Sequence, residues 1–318
     1  MEAEMQEPRA PITVRDLGPG DWGAVAGLLG HDASYGERLE RHVQSTYRPS
    51  FGWVVPAEDG IGVCGAVVAG VRRRLSDGSP AAVSVAWVGV AQSRRRHGLG
   101  RSLIQRVALG ALRLGARRLD ATIDAGDAQA IAFFGATGFA VERRTAEVRV
   151  SGAAAVALVG STPPSDVVVR SLRHDELPSL TGLLIHLAVE RATEPHDDLD
   201  GLTPSALAAT SMHVGHVAVA AWEADDLDAP VGVAWGTRFA DGVRVQFIGV
   251  HEDGRRRGTG RALLGALLVA SARNVIVARV HDPVALHGFL VRIGGVVLSE
   301  TLTVGRPIGG ADDGTIGY

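Results

Sequence analysis

Two segments of this chain carry arginine and glycine at the same spacing. They are Val90-Ala-Gln-Ser-Arg-Arg-Arg-His-Gly-Leu-Gly100 and Val250-His-Glu-Asp-Gly-Arg-Arg-Arg-Gly-Thr-Gly260. Each follows an apolar, strand-like run ending in valine and precedes a helical pattern. In each, an arginine stands five residues after the valine and leads into Arg-x-Gly-x-Gly. A basic, glycine-spaced turn between a strand and a helix suits a phosphate-bearing ligand. Backbone N–H groups at the helix start converge on the anion, and glycine lets the backbone come close. In the first copy the N–H groups of residues 96–101 are the expected cradle for a pyrophosphate, with charge added by Arg95 and Arg96 and with Arg101 at the helix start.

The elements around these loops are duplicated as well. Val14–Leu29 aligns with Val169–Leu184: Arg15 matches Arg170, Leu17 matches Leu172, and Gly27-Leu28-Leu29 matches Gly182-Leu183-Leu184. A period of about half the chain is far longer than the roughly 20–50 residues of a solenoid repeat. The expectation is two tandem homologous domains, 11–150 and 167–306, joined by a linker at 151–166 rich in Ala, Gly, Ser and Pro.

Composition fits that division. The chain has 318 residues, 46% hydrophobic and 21% charged, with a net charge of −3. Domains of about 100–200 residues are ordinary. A near-neutral chain gives no electrostatic reason to expect a nucleic-acid partner. The single cysteine, Cys64, excludes an intramolecular disulfide, makes a cysteine-based metal site implausible, and reads as a small core residue. No metal site is expected. The first residues are acidic and polar, and no apolar run reaches membrane-spanning length, so the cytoplasm is the expected compartment and no membrane partner is expected. All basic side chains other than histidine are arginine, a bias that suits a GC-rich bacterial genome.

Periodicity predicts the elements that position the loops. In the first half these are a short strand at Ile12–Arg15, a helix from about Asp21 to Leu29, and a helix or loop at His31–Gln44. Strands follow at Gly52–Ala57, Gly62–Arg72 and Val83–Val90. Leu103, Ile104, Val107, Ala108, Ala111 and Leu112 then mark one face of a helix. After it come a strand at Leu119–Ile123, a helix at Ala128–Thr137, and closing strands within Phe139–Val150. The second half repeats this order. It has a strand at Val167–Arg170, a helix at Asp175–Val189, a charged loop at Glu190–Pro204, and strands at Val217–Trp222, Val231–Phe239 and Val243–Val250. A helix after Gly260, a strand at Val275–Val280, a helix at Val284–Ile293 and a strand at Val296–Val304 complete it, with Gly305–Tyr318 as a tail. Arg72–Arg74 reads as a solvated cluster in a hairpin turn.

On these residues the chain resembles the GNAT superfamily of acyl-CoA-dependent N-acyltransferases. Strand, Arg-x-x-Gly-x-Gly, helix, strand, and a short helix ending in Gly-Phe is that family's order. Asp127-Ala-Gln-Ala130-Ile-Ala-Phe-Phe134-Gly-Ala-Thr-Gly138-Phe139 is similar in spacing to the family's Asn-x-x-Ala-x-x-apolar-Tyr-x-x-x-Gly-Phe segment. The second half's Pro283–Gly295 is a degenerate version. The resemblance implies an α/β fold of two tandem GNAT-like domains, each a mixed central sheet flanked by helices. It implies acetyl-CoA, or another acyl-CoA, on Arg95, Arg96, His97, Gly98, Leu99, Gly100, Arg101, Asp127, Ala130 and Phe134. The pantetheine arm would then lie beside Val88, Gly89 and Val90, like an added strand. Ile248, Val250, Arg255, Arg256, Gly258 and Gly260 are the matching positions of the second domain.

The resemblance fails at two chemical positions. The family's tyrosine acid falls on Phe134 and on Leu290, and neither donates a proton. The glutamate that acts through water on the amine falls on Ala86 and Gln246, and neither is a base. Replacement candidates in the first half are His31, Asp32, Tyr35, Glu37 and Asp124; in the second they are His186, Glu190, His196 and His213. The leading expectation is acetyl transfer to a primary amine of a small molecule. The alternatives are a protein N-acetyltransferase and a non-catalytic acyl-CoA-binding or sensing protein. The better-kept downstream segment favours the first domain for acyl-CoA. The chain is expected as a monomer, a pseudo-dimer of its own halves, or as a homodimer.

Overall fold

The computed structural model describes residues 13–28, 30–31, 33–46, 49–57, 62–73, 80–191, 215–281 and 285–309. The chain divides into two compact units, residues 1–143 with 302–318, and residues 144–301.

The first unit opens with β1 (Arg15–Asp16), α1 (Trp22–Leu28) and α2 (Ala33–Thr46), followed by β2 (Ser50–Pro56), β3 (Val63–Arg73) and β4 (Pro80–Val90). Then come α3 (Leu99–Arg113), β5 (Arg118–Asp124), α4 (Ala128–Ala136) and the start of β6 (Ala140–Val150). The second unit takes the rest of β6, then α5 (Gly152–Val159), β7 (Val167–Ser171), α6 (Thr181–Arg191), β8 (His216–Glu223), β9 (Pro230–Arg238) and β10 (Val243–Val250). It continues through α7 (Thr259–Ser271), β11 (Ile276–His281), α8 (Ala285–Arg292) and the first part of β12 (Val296–Pro307).

Each unit is a mixed sheet built by the same rule. In the first, β1 to β4 pair antiparallel in sequence order, and β5 joins β4 in parallel. In the second, β7 to β10 pair antiparallel, and β11 joins β10 in parallel. A parallel neighbour needs a crossover, and α3 and α7 supply it. Leu103, Ile104, Val107 and Ala111 of α3 are buried in the first unit's main core. Leu263, Leu264, Leu267 and Leu268 of α7 are buried in the second's.

The strand starts are pinned identically. Arg15 Nη1 donates to Asp21 Oδ2 at 2.6 Å, and that carboxylate accepts from Gly18 N at 2.7 Å. Arg170 Nη1 donates to Glu176 Oε2 at 2.8 Å, and that oxygen accepts from Arg173 N at 2.9 Å. The repeated arginine therefore ties each first strand to the turn that starts its helix.

Several sequence expectations are corrected. The expected linker at 151–166 holds α5, an alanine-rich helix. Alanine loses no side-chain entropy in a helix, and α5 lies so close to α7 that a Cβ on Gly265 would sit 2.2 Å from the Leu158 carbonyl oxygen. The last strand does not stop at Val304: it continues to Pro307, and Ile308 N donates to Arg117 O at 2.9 Å. Arg72 is not in a turn, because pairing with β4 carries β3 past Arg72↔Ala82; Arg74 lies outside the described residues. The spans 11–150 and 167–306 differ from the compact units because β6 follows its pairing. Thr145–Val150 pair with β11, so they belong to the second unit, while 302–306 belong to the first.

Candidate acyl-transfer site

In the first unit β4 and β5 are paired only from Val83↔Leu119 to Val85↔Ala121. Beyond that rung β4 continues to Val90 with β3 alone on its other edge. The register against β3 steps from Ala69↔Val85 to Val68↔Trp87, so Ala86 is an extra, bulged residue at the point where the strands part. The second unit repeats this. Pairing runs from Val243↔Ile276 to Val245↔Ala278, and the step from Val245 to Phe247 makes Gln246 the bulge. Each unit thus offers a strand edge, 86–90 or 246–250, with backbone groups unclaimed by the parallel neighbour. That is the edge an extended chain adds to.

The loops that follow share one backbone. Arg95 Nε donates to Val90 O at 3.1 Å, and Arg255 Nε donates to Val250 O at 2.9 Å. This bond explains the fixed five-residue spacing: the arginine closes the turn onto the end of its strand. It also means that the Val90 and Val250 carbonyls, expected to serve a ligand, already accept a bond. Arg96 and Arg256 both adopt positive φ, 64° and 60°. That conformation costs a non-glycine residue about 1–2 kcal/mol. Gly98 and Gly258, at φ 83° and 98°, cap α3 and α7, and no side chain caps either helix. The first intrahelical bond of α3 is Ser102 N to Gly98 O, so the N–H groups of Leu99, Gly100 and Arg101 point out of the helix end. With the helix dipole behind them, their direction is the one that an anion at a helix start requires.

The other predicted residues fall as follows. Arg101 Nη2 donates to the Ala136 carbonyl at the end of α4, so this guanidinium ties two helices together. His97 Nδ1 lies 2.7 Å from the Arg95 carbonyl, which can only accept, so Nδ1 carries the proton. Leu99 is buried. Gly100 is a packing position: a Cβ there would sit 2.8 Å from Phe133 Cε2, whereas one on Gly260 would meet Phe289 at an ordinary 3.7 Å. Asp127 caps α4, its Oδ1 accepting from Gln129 N at 3.0 Å and Ala130 N at 2.9 Å. Ala130 packs at the edge of the core, as do Val88, Val90 and Cys64. Gly89 lies under Trp87, whose Cζ2 would be 2.3 Å from an added Cβ. In the second unit Ile248 and Val250 pack against the core. Gly249 has Leu187 and Phe247 over it.

Phe134 and Leu290 are 5% and 1% exposed. Phe134 makes edge contacts with Phe133 and Phe139 at 5.2 and 5.0 Å. Among the acid–base candidates, His31 stacks on Tyr35 at 4.0 Å, with the Arg38 guanidinium 5.6 Å from the Tyr35 ring. Glu37 is exposed on α2. Asp124 is exposed and accepts from Gly126 N at 2.7 Å. His186 and His251 lie ring to ring at 4.6 Å, and His251 Nδ1 is 3.2 Å from Asp253 Oδ2. Asp32, His196, His213 and the Glu190 side chain lie outside the described residues. The pairs His31–Tyr35 and His186–His251 were not foreseen as pairs. Among the described residues no three metal-ligating side chains cluster, and no helix is long and apolar enough to cross a membrane.

Residues 27–139 match the model of the acetyltransferase (GNAT) family. A GCN5-related N-acetyltransferase from Sphaerobacter thermophilus superposes with a TM-score of 0.57 at 18% identity, covering 93% of this chain and 95% of that one. A tandem GNAT protein from the clavulanic acid biosynthesis pathway gives 0.59 at 16%, over 95% of this chain and 100% of that one. A glucosamine N-acetyltransferase region of a fungal multi-domain β-N-acetylglucosaminidase gives 0.58 at 15%, over 95% of this chain and 39% of that one. No curated protein matches the sequence. The first strand–loop–helix site, 83–113, lies inside the stretch that matches the acetyltransferase (GNAT) family. The first unit carries the domain that matches the acetyltransferase family, and the whole chain has the tandem GNAT fold.

Proposed function

We propose that the protein is an acyl-CoA-dependent N-acetyltransferase that acylates a primary amine of a small molecule, and that the first unit binds the acyl-CoA. The observation that carries this is the junction of an uncapped α3 start with the open edge of β4, one continuous track from Arg96–Gly98 to Ala86. N–H groups of residues 99–101 hold the pyrophosphate; the edge of 86–90 aligns the pantetheine; the bulge at Ala86 turns a backbone group toward the thioester. The buried Phe134 supplies packing and no proton, so the leaving sulfur is protonated by solvent. Positioning then carries much of the rate.

The second loop supports a second acyl-CoA site. It has the same positive-φ arginine and glycine and the same arginine-to-valine bond. Its Arg257 is engaged with Asp166, and its Arg261 with the Ala157 carbonyl.

Calorimetry with acetyl-CoA, followed by thiol release across a panel of primary amines, tests this reading. Binding with thiol release for at least one amine is expected. Binding without release for any amine would favour a sensing role, and absence of binding would end the proposal.

A further inference from the structure

Asp120 is a carboxylate buried on a central strand. It is 4% exposed, and its register partner on β4 is Ser84, 6% exposed. The next rung, Val85↔Ala121, is the last before β4 and β5 separate. Val83, Val85, Leu119 and Ala121 point into the core beneath α3. By alternation Ser84 and Asp120 face the opposite side of the sheet, where Trp87 and Val68 pack against Trp22 and Val43. The only bond to Asp120 among the described residues comes from Arg72, whose Nη1 is 3.2 Å from Oδ2 and whose side chain is 47% exposed. A carboxylate taken out of water costs stability that one half-exposed arginine only partly offsets. Its location therefore asks for a use.

We propose that Asp120 is the proton acceptor for the amine in the first unit. The inference rests on the reading of that unit's cleft as the acyl-CoA site. An acyl-pantetheine laid along β4 from the loop ends where the edge closes, at the bulged Ala86. With about 3.3 Å per residue along a strand and about 4.8 Å between strands, the Asp120 Cα lies about 8 Å from that bulge, the span of a side chain and one water. The family's base position, Ala86, carries no base. Asp120 is the buried carboxylate on the strand paired with β4, and Ser84 is its register partner. Arg72 engages Oδ2.

The step balances as follows. The acceptor arrives as an ammonium ion and gives one proton to the Asp120 carboxylate, which passes it to solvent. The freed nitrogen forms a bond to the thioester carbon as the carbon–sulfur bond breaks. The second proton from nitrogen leaves through water, and the sulfur departs as thiolate and becomes thiol.

The test uses the full chain with Cys64 replaced by serine. Asp120→Cys and, separately, Ser84→Cys are treated with bromoacetyl-CoA, and the adduct is located by mass spectrometry. Alkylation of the introduced thiol, blocked by excess CoA, is expected; Ser84→Cys reads the same rung should Asp120→Cys fold poorly. Asp120→Asn is expected to keep its CoA affinity and lose at least about 100-fold in turnover with the amine the panel returns, and Asp120→Glu to recover part of it. CoA binding with neither thiol alkylated overturns the proposal, as does wild-type turnover in Asp120→Asn. A wild-type chain that binds no CoA overturns the reading of the cleft, and this proposal with it.

Discussion

Arg306 donates from Nη1 to the carbonyl of Thr137 at 2.7 Å, and its guanidinium lies 6.0 Å from the Phe139 ring. The last strand thereby fastens the Gly138 turn that ends α4, 169 residues earlier in the chain. Gly138 has φ 85°, and a Cβ on it would meet Arg306 Cδ at 3.2 Å. Arg306→Ala is expected to destabilise the first unit by about 1–2 kcal/mol, read by urea denaturation. Removal of 302–318 is expected to abolish CoA binding to the first unit, read by calorimetry.

Gly98→Asp combines a positive-φ penalty of about 1–2 kcal/mol with a carboxylate at the anion site. Affinity for CoA in the first unit should fall at least about tenfold, or 1.4 kcal/mol. Gly258→Asp should leave that affinity unchanged and remove any second equivalent of CoA. Loss of turnover in Gly258→Asp with Gly98→Asp unaffected would move the active site to the second unit.

The two outer glycines of the loops part company. Gly100→Ala forces Phe133 to move, at a cost of about 1–3 kcal/mol, whereas Gly260→Ala meets only ordinary contacts and should be nearly neutral. Thermal melts of the two variants make the comparison.

Phe134→Tyr places a hydroxyl among Phe133 and Phe139. An unpaired buried hydroxyl costs about 1–3 kcal/mol. The variant should melt earlier yet still turn over substrate; a folded but inactive protein would assign this position to acceptor fit.

Arg170's hydrogen bonds, opposed by desolvation and helped by the Arg173 N–H, lower the Glu176 carboxyl from 4.5 to about 2. A lowered carboxylate stabilises the fold above its unfolded value and loses that contribution as pH falls through the folded one. Wild type should therefore lose stability between about pH 4.5 and about pH 2. Glu176→Gln should lack this share of the acid sensitivity. Urea melts across the window would show it. Asp21 is likewise lowered, chiefly through the Arg15 hydrogen bond.

The duplicated loops, the strands around them and the crossover helices were legible because each rests on local pattern: apolar periodicity, glycine at positive φ, arginine at fixed spacing. What Arg95 and Arg101 do was not, since a guanidinium aimed at a carbonyl reads in sequence like one aimed at phosphate. The alternation Leu119-Asp120-Ala121-Thr122-Ile123 marks a half-solvated strand, so burial of Asp120 was hidden; it depends on Ser84 and Arg72 from other strands. The α5 helix was masked by its small residues, which suit both linkers and close helix contacts. The sharing of β6 and β12 between units leaves no local trace at all.

That sharing sets an order on the birth of the protein. The second unit is one contiguous stretch, 144–301, and all of it has been synthesised before residue 302 is added. The first unit's other strands precede the second unit in the chain, yet it lacks its closing strand until 302–307 arrive. At roughly 5–20 residues per second, the N-terminal segment waits roughly 10–30 s for its closing strand. During translation the later unit is the first to have all its parts, and the unit that carries the acetyltransferase match waits for residues 302–307.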